Sequence, residues 1–310
     1  MLVLNTFLNN HIHNIFNIGF ETVFNGAHFQ KRMFITLVEP QTVGADQYRG
    51  RKDVVSVVFT GVAAIGTRAF KNCTHLKTVV IPDSVTSIGI GAFANCASIE
   101  TVDIPDSIGI ISSNTFYNCI RLRSVRIPDS VTTIGTGAFV HCTHLGSVVV
   151  PDSVTTIGAK AFHTCYQLRS LTIGHNVVNI GSSAFGYCKQ LASVILPPSV
   201  TNIDFAAFVG SKCVIFAPVG FETPLIGVSV YCTPLGTLLA HYAHCLDNRQ
   251  TMLVSASKHS NPTVRGNNIV QLCGNFDLAS DIVVSSQGLR QAISDLPESV
   301  QHLAVDLVSS

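Results

Sequence analysis

Charge is scarce in this chain of 310 residues. Lys and Arg number 19, Asp and Glu 18, and together they make up 12% of the sequence, about half the roughly 25% usual in soluble domains. A net charge of +1 leaves no clustered basic surplus, so a nucleic acid or an anionic membrane surface is not an expected partner. Long hydrophobic runs are missing as well. Nowhere do about 18 uninterrupted apolar residues occur, and no transmembrane helix is expected. The chain also lacks a phosphate-binding glycine motif, a G-x-S-x-G elbow and an H-E-x-x-H metal helix. No catalytic residue is therefore assigned, no cofactor is expected, and the protein reads as a non-enzyme. His11 and His13, two residues apart, do not alter that reading.

Apolar material, by contrast, is plentiful. The sequence is 47% hydrophobic with a mean hydropathy of +0.40, which excludes disorder of the whole and suffices for a core spanning one or two domains. The first residues, Met1 to Phe20, are apolar, but no basic residue precedes them and Asn5, Asn9, Asn10 and Asn14 interrupt them. That is not the pattern of a cleaved secretory signal. A cytoplasmic location is favoured over the cell surface on this ground.

The dominant feature is a repeat of 23 residues, a period in the range of solenoids and propellers. Phe70, Phe93, Phe116, Phe139, Phe162, Phe185 and Phe208 keep that spacing without a single slip. Three residues after the first six stand Cys73, Cys96, Cys119, Cys142, Cys165 and Cys188, and three further on Leu76, Ile99, Leu122, Leu145, Leu168 and Leu191. Further apolar columns start at Val79, Ile81, Val85 and Ile65. Within one unit, Leu76 to Ile81 reads as a strand with one buried face. Pro82 stops it, because proline cannot donate to a ladder, and Asp83-Ser84 turns the chain through side-chain hydrogen bonds. A second extended piece from Val85 to Ile88 follows. Gly89 is expected to supply a bend, and Gly91 to Asn95 a single helical or 3₁₀ turn.

A single unit is not stable alone. It offers about seven buried apolar side chains at roughly 1.5–3 kcal/mol each, against about 1.5 kcal/mol per residue to order 23 residues. Stacking must make up the difference, by sheet hydrogen bonds between units and by burying the faces of the columns. The expected fold is a right-handed solenoid with a parallel β ladder, short second strands and 3₁₀ or helical turns.

The residues Leu76-Lys77-Thr78-Val79-Val80-Ile81-Pro82-Asp83-Ser84-Val85-Thr86-Ser87-Ile88-Gly89, with Ala92-Phe93 and Cys96, follow L-x-x-V-x-I-P-x-S-V-x-x-I-G-x-x-A-F-x-x-C. This pattern resembles the BspA-type leucine-rich repeat, over about half the chain. The resemblance implies a leucine-rich-repeat solenoid with a protein-interaction or adhesive role. Departures mark the ends. Tyr48 stands where phenylalanine is expected, with Val54, Val57 and Phe59 in the strand columns, as in an N-terminal cap; Gly174-His175-Asn176 replaces Pro-Asp-Ser; and Ser211 takes a cysteine position, followed by a shortened strand at Cys213-Val214-Ile215-Phe216. The expected organisation is an N-terminal cover over 1–47 and the solenoid over 48–218. A strand and helix cap follows over 219–246, built from Val228 to Cys232 and Pro234 to Leu246. Residues 247–310 form a linker and a small α+β tail.

Six cysteines in a straight column read as packed thiols, since free cysteine behaves as a small hydrophobe and parallel side chains do not converge on zinc. Cys232 and Cys245 with His241 and His244 have no standard zinc spacing, and no metal is expected. Asp83, Asp106, Asp129 and Asp152 would stack along one edge; turn closure accounts for them, with calcium as the alternative. On the exposed ladder face, Glu100 should meet Arg123 and Asp103 should meet Arg126 as lateral ion pairs. Arg121, Arg123, Arg126, His144 and Arg169, with Glu100 and Asp103, are the candidate ligand-binding residues, because variable side chains on an invariant frame select a solenoid's partners. The expected function is a protein-interaction scaffold. An adhesin-like protein binding glycan or host matrix is the alternative, and an enzyme housed in the C-terminal segment is the third.

Overall fold

The computed structural model describes residues 16–25, 28–38, 42–218, 221–222 and 225–232. Two ladders run through it. The longer strands are β4 (Val54–Thr60), β6 (Thr78–Val80), β8 (Thr101–Asp103), β10 (Ser124–Arg126), β12 (Ser147–Val149), β14 (Ser170–Thr172), β16 (Ser193–Ile195), β18 (Val214–Ala217) and β19 (Ser229–Cys232). Alternating with them are two-residue strands: β3 (Thr42–Val43), β5 (Ala64–Ile65), β7 (Ser87–Ile88), β9 (Ile110–Ile111), β11 (Thr133–Ile134), β13 (Thr156–Ile157), β15 (Asn179–Ile180) and β17 (Asn202–Ile203). Neighbours pair in parallel and in register, so that Ser124 faces Thr101 and Ile134 faces both Ile111 and Ile157. The chain is a parallel β-solenoid with a coil every 23 residues through the middle of the array, 22 at its start (Ser56 opposite Thr78) and 21 at its end (Ser193 opposite Val214). Ahead of it, β1 (Phe16–Asn25) and β2 (His28–Val38) form an antiparallel hairpin, and β2 lies parallel to β4. The parallel pairing thus begins before Tyr48, with β3 against β5.

The phenylalanines form the axis of the core. Seven consecutive pairs from Tyr48–Phe70 to Phe185–Phe208 stack with ring centroids 5.0–5.6 Å apart and planes within 16° of parallel. Phe59 closes the first end edge-on against Phe70. Tyr48 belongs to the stack despite its hydroxyl, which lies 3.3 Å from Gln47 Nε2, the donor. Leucine, isoleucine and valine of the remaining columns pack around the rings, buried except for the partly buried Val79 and Val125.

Each coil turns its third side through successive β-turns. In one coil, Ala69 N–H donates to Gly66, Lys71 to Arg68 and Cys73 to Phe70, all three residues back. These are 3₁₀-type bonds, but left-handed residues at two fixed places split the run into separate turns, and no helix forms among the described residues. One of those places holds Asn72, Asn95 and Asn118 in succession, with φ of 65°, 62° and 57°. Asparagine tolerates this conformation better than most residues, and here it gains a second use: Asn95 Nδ2 donates to Asn72 Oδ1 at 2.7 Å, and Asn118 Nδ2 to Asn95 Oδ1 at 2.9 Å.

Two local expectations are corrected. The Pro-Asp-Ser corner closes through the backbone, Val85 N–H donating to Pro82 O at 3.0 Å; the serine reaches instead to the coil before, Ser84 Oγ to Val62 O at 3.1 Å and Ser107 Oγ to Val85 O at 2.5 Å. Gly89, in turn, is no bend of reversed φ. A Cβ there would lie 2.5 Å from Thr67 N in the preceding coil, so the glycine lets two backbones approach. Gly135, Gly158 and Gly181 repeat that crowding.

Candidate functional site

The ladder face presents what the columns leave outside. Strand β10 alternates, Ser124 and Arg126 exposed and Val125 turned inward, as the pleat requires. Arg121, Arg123, Arg126, His144 and Arg169 are all exposed, with Glu100 and Asp103 on the coil before. Leu122, Ile127 and Val148 anchor the same segments in the core, so the charged groups stand on a fixed frame.

Their contacts differ in part from those expected. Arg123 Nε lies 4.0 Å from Glu100 Oε2, with both side chains more than half exposed. Arg126 does not pair with Asp103, although the two are directly opposed across the ladder. Its guanidinium turns toward the corner, donating to Asp106 Oδ1 at 2.8 Å and to Ile104 O at 3.3 Å. There it gains two acceptors, a carboxylate and a backbone carbonyl. Arg169 Nε donates to Gln190 Oε1 at 2.7 Å, and His144 Nδ1 sits 2.6 Å from Ile120 O. Arg121 makes no ion pair among the described residues. Beside this patch Lys189 Nζ lies 4.9 Å from the centroid of the half-exposed Tyr166 ring, an element not foreseen from the sequence.

The aspartate edge is partly neutralised from within. Asp106 takes Arg126, and Asp152 Oδ1 accepts the backbone N–H of His175 at 2.7 Å with its Nδ1 at 3.2 Å. His175 is the residue that breaks the aspartate column in the next coil, so the break supplies a donor where another carboxylate would repel. Among the described residues no group of three metal-ligating side chains converges. His11, His13, His241, His244 and Cys245 lie outside the described residues, as does the side chain of Cys232.

The cysteine column is a hydrogen-bonded one. Cys96 Sγ donates to Phe70 O at 3.1 Å, and Cys119, Cys142, Cys165 and Cys188 repeat the contact at 3.3–3.4 Å, each with the phenylalanine 26 residues before it. Phe70 O also accepts the N–H of Cys73; the thiol fills its second lone pair. Burial pushes these thiols up, to about 12 at Cys119 and Cys188 and to about 11 at Cys73, so they are kept protonated as donors and withheld from thiolate chemistry.

Residues 41–168 and 109–218 match the BspA type leucine rich repeat region, in six copies. The chain belongs to the BspA-type leucine-rich repeat family. Among solved structures it is similar to a leucine rich repeat protein of T. pallidum, 28% identical, with 57% of this chain and 88% of that chain covered and a TM-score of 0.47. A leucine-rich repeat protein from Eubacterium ventriosum is 23% identical, with 62% and 49% covered and a TM-score of 0.49; the likeness thus spans about half of that chain. One from Bacteroides ovatus is 18% identical, with 74% and 78% covered and a TM-score of 0.45. No curated protein matches. Family and coordinates together make the chain a repeat scaffold, and no helix among the described residues is long and apolar enough to cross a membrane.

Proposed function

We propose that this BspA-type solenoid is a non-enzymatic scaffold that binds a protein partner on its ladder face, through Arg121, Arg123, Arg126, His144 and Arg169 with Glu100 and Asp103 at the margin. The observation that supports this most is the set of exposed guanidinium groups of Arg121, Arg123 and Arg126 on one coil, followed by His144 on the next and Arg169 on the one after, all on backbones fixed by the core. Rigid placement lowers the ordering cost of binding, and arginine is enriched where interfaces concentrate their energy. The existing ion pairs do not stand in the way: an exposed pair is worth about 0.2–1 kcal/mol, and a partner's carboxylates can replace Glu100 or extend the pairing of Arg121. The partner segment should accordingly be acidic.

The test is affinity capture with the full chain, comparing wild type with R121E/R123E and identifying retained proteins by mass spectrometry. Both positions are exposed, so the variant should keep the wild-type melting temperature while losing its specific partners. Retention of the same proteins at the same yield would contradict the assignment.

A further inference from the structure

The second sheet carries a cleft of about 280 Å³ over coils β13, β15 and β17. Its polar lining is Thr156, Asn179, Ser182, Asn202 and Asp204. The floor is partly backbone, because Gly158 and Gly181 have no side chain and none would fit: a Cβ would lie 2.7 Å from Thr136 N and 2.5 Å from Ala159 N respectively.

Three side chains across the cleft form one line. Asn202 Nδ2 donates to Asn179 Oδ1 at 2.9 Å, and Asn179 Nδ2 approaches Thr156 Oγ1 at 3.3 Å, following the strand register. Each amide spends one N–H in this line and keeps the other. Asp204 uses Oδ1 for the N–H of Ala206 at 2.8 Å, and among the described residues its Oδ2, Asn202 Oδ1 and Ser182 Oγ have no partner. The cleft therefore offers donors and acceptors side by side on neighbouring coils, roughly 4.8 Å apart.

One lining residue departs from what the coil itself requires: Asp204 occupies a column that holds Gly66, Gly89, Gly135, Gly158 and Gly181, with Ser112 the other exception. No lysine or arginine lines the cleft, and the carboxylate of Asp204 disfavours an anion.

We infer that this cleft binds a neutral saccharide. Sugar hydroxyls each donate and accept, which matches alternating amide, hydroxyl and carboxylate groups, and neutrality matches the absence of cations from the lining. A shallow, open cleft of this kind takes one or two sugar units of a longer chain. The site lies on a different sheet from the arginine patch, and its occupation does not depend on the partner proposed there.

The experiment titrates the full chain with cellotetraose, maltotetraose, mannotetraose and chitotetraose, read by saturation-transfer difference NMR and calorimetry. N202T and D204G return each position to a residue that other coils of this chain already carry in the same column, and so should fold as wild type, checked by melting temperature. At least one probe should bind saturably, with N202T and D204G each about tenfold weaker, the loss of one hydrogen bond to a polar ligand; R121E/R123E should bind as wild type. Absence of binding to all four probes would overturn the inference. So would unchanged affinity in N202T or D204G with their folds intact.

Discussion

Ser211 Oγ donates to the carbonyl oxygen of Phe185 at 2.5 Å, in the position where each preceding coil sets a cysteine thiol against the equivalent carbonyl. The hydroxyl also accepts the N–H of Cys188 at 3.0 Å. Column identity at this place is therefore a requirement for a small buried donor, and sulfur is one way to meet it.

Replacement of a thiol in mid-array tests that statement. C142S should stay closer to wild type in urea denaturation than C142A, because alanine leaves the second lone pair of Phe116 O unfilled and opens a small void. An unmade buried bond costs about 1–3 kcal/mol. Equal loss in the two variants would show that the column is only packing.

The ring stack is expected to dominate cohesion between coils. Phe139 lies 5.4 Å from Phe116 and 5.1 Å from Phe162, centroid to centroid, and is fully buried. F139A should cost about 3–5 kcal/mol. F139L keeps most of the buried area and loses the aromatic pairing, about 0.5–1.5 kcal/mol per pair, so it should fall between. Melting temperatures in the order wild type, F139L, F139A check this; an F139A variant as stable as wild type would refute stacking as the source of stability.

Two glycines make a matched comparison. A Cβ at Gly158 would lie 2.7 Å from a backbone nitrogen of the adjacent coil, whereas at Gly146 it meets nothing within 4 Å. G158A should unfold at clearly lower denaturant concentration, and G146A within about 0.5 kcal/mol of wild type. The reverse order would mean that the coils are not as close as the structure has them.

His163 gives stability a dependence on pH. Its pKa is lowered from 6.5, first by burial and then by His141 and Lys160; the His141 and His163 rings meet edge to face at 6.4 Å. Since the unfolded chain takes up this proton more readily than the folded one, the contribution is complete above about pH 6.5 and is lost as pH falls through the lowered folded value. Denaturation midpoints should drop between about pH 7.5 and 5.5, and less steeply in H163N. An identical slope in H163N would place the effect elsewhere.

How much of this is legible in the sequence depends on whether a residue obeys the frame or departs from it. The stack of Phe70 to Phe208, the packed thiols and both ladders follow from spacing alone, because an unbroken 23-residue period forces equivalent residues to superpose. The asparagines of the left-handed turns carried a signal in Asn72, Asn95 and Asn118, but a period does not report the sign of φ. Long side chains escaped too: opposition across a ladder suggested Asp103 for Arg126, whereas a guanidinium on a flexible stem finds the corner carboxylate of Asp106. The cleft of the second sheet is hidden in the sequence because Asn179 and Asn202 read as ordinary polar residues of short strands. Asp204 in a glycine column was the signal that could have revealed it.

Between Phe70 and Phe208 the coils superpose without insertion, so each joint of the ring stack repeats the last. Excising residues 116–138 would bring the coil of Phe139 down onto that of Phe93, ring over ring, with no new junction to invent and no loop left over. The length of this regular array is thus set in whole 23-residue steps, and the reach of its faces can be shortened or extended by recombination while the rules of the joint stay the same.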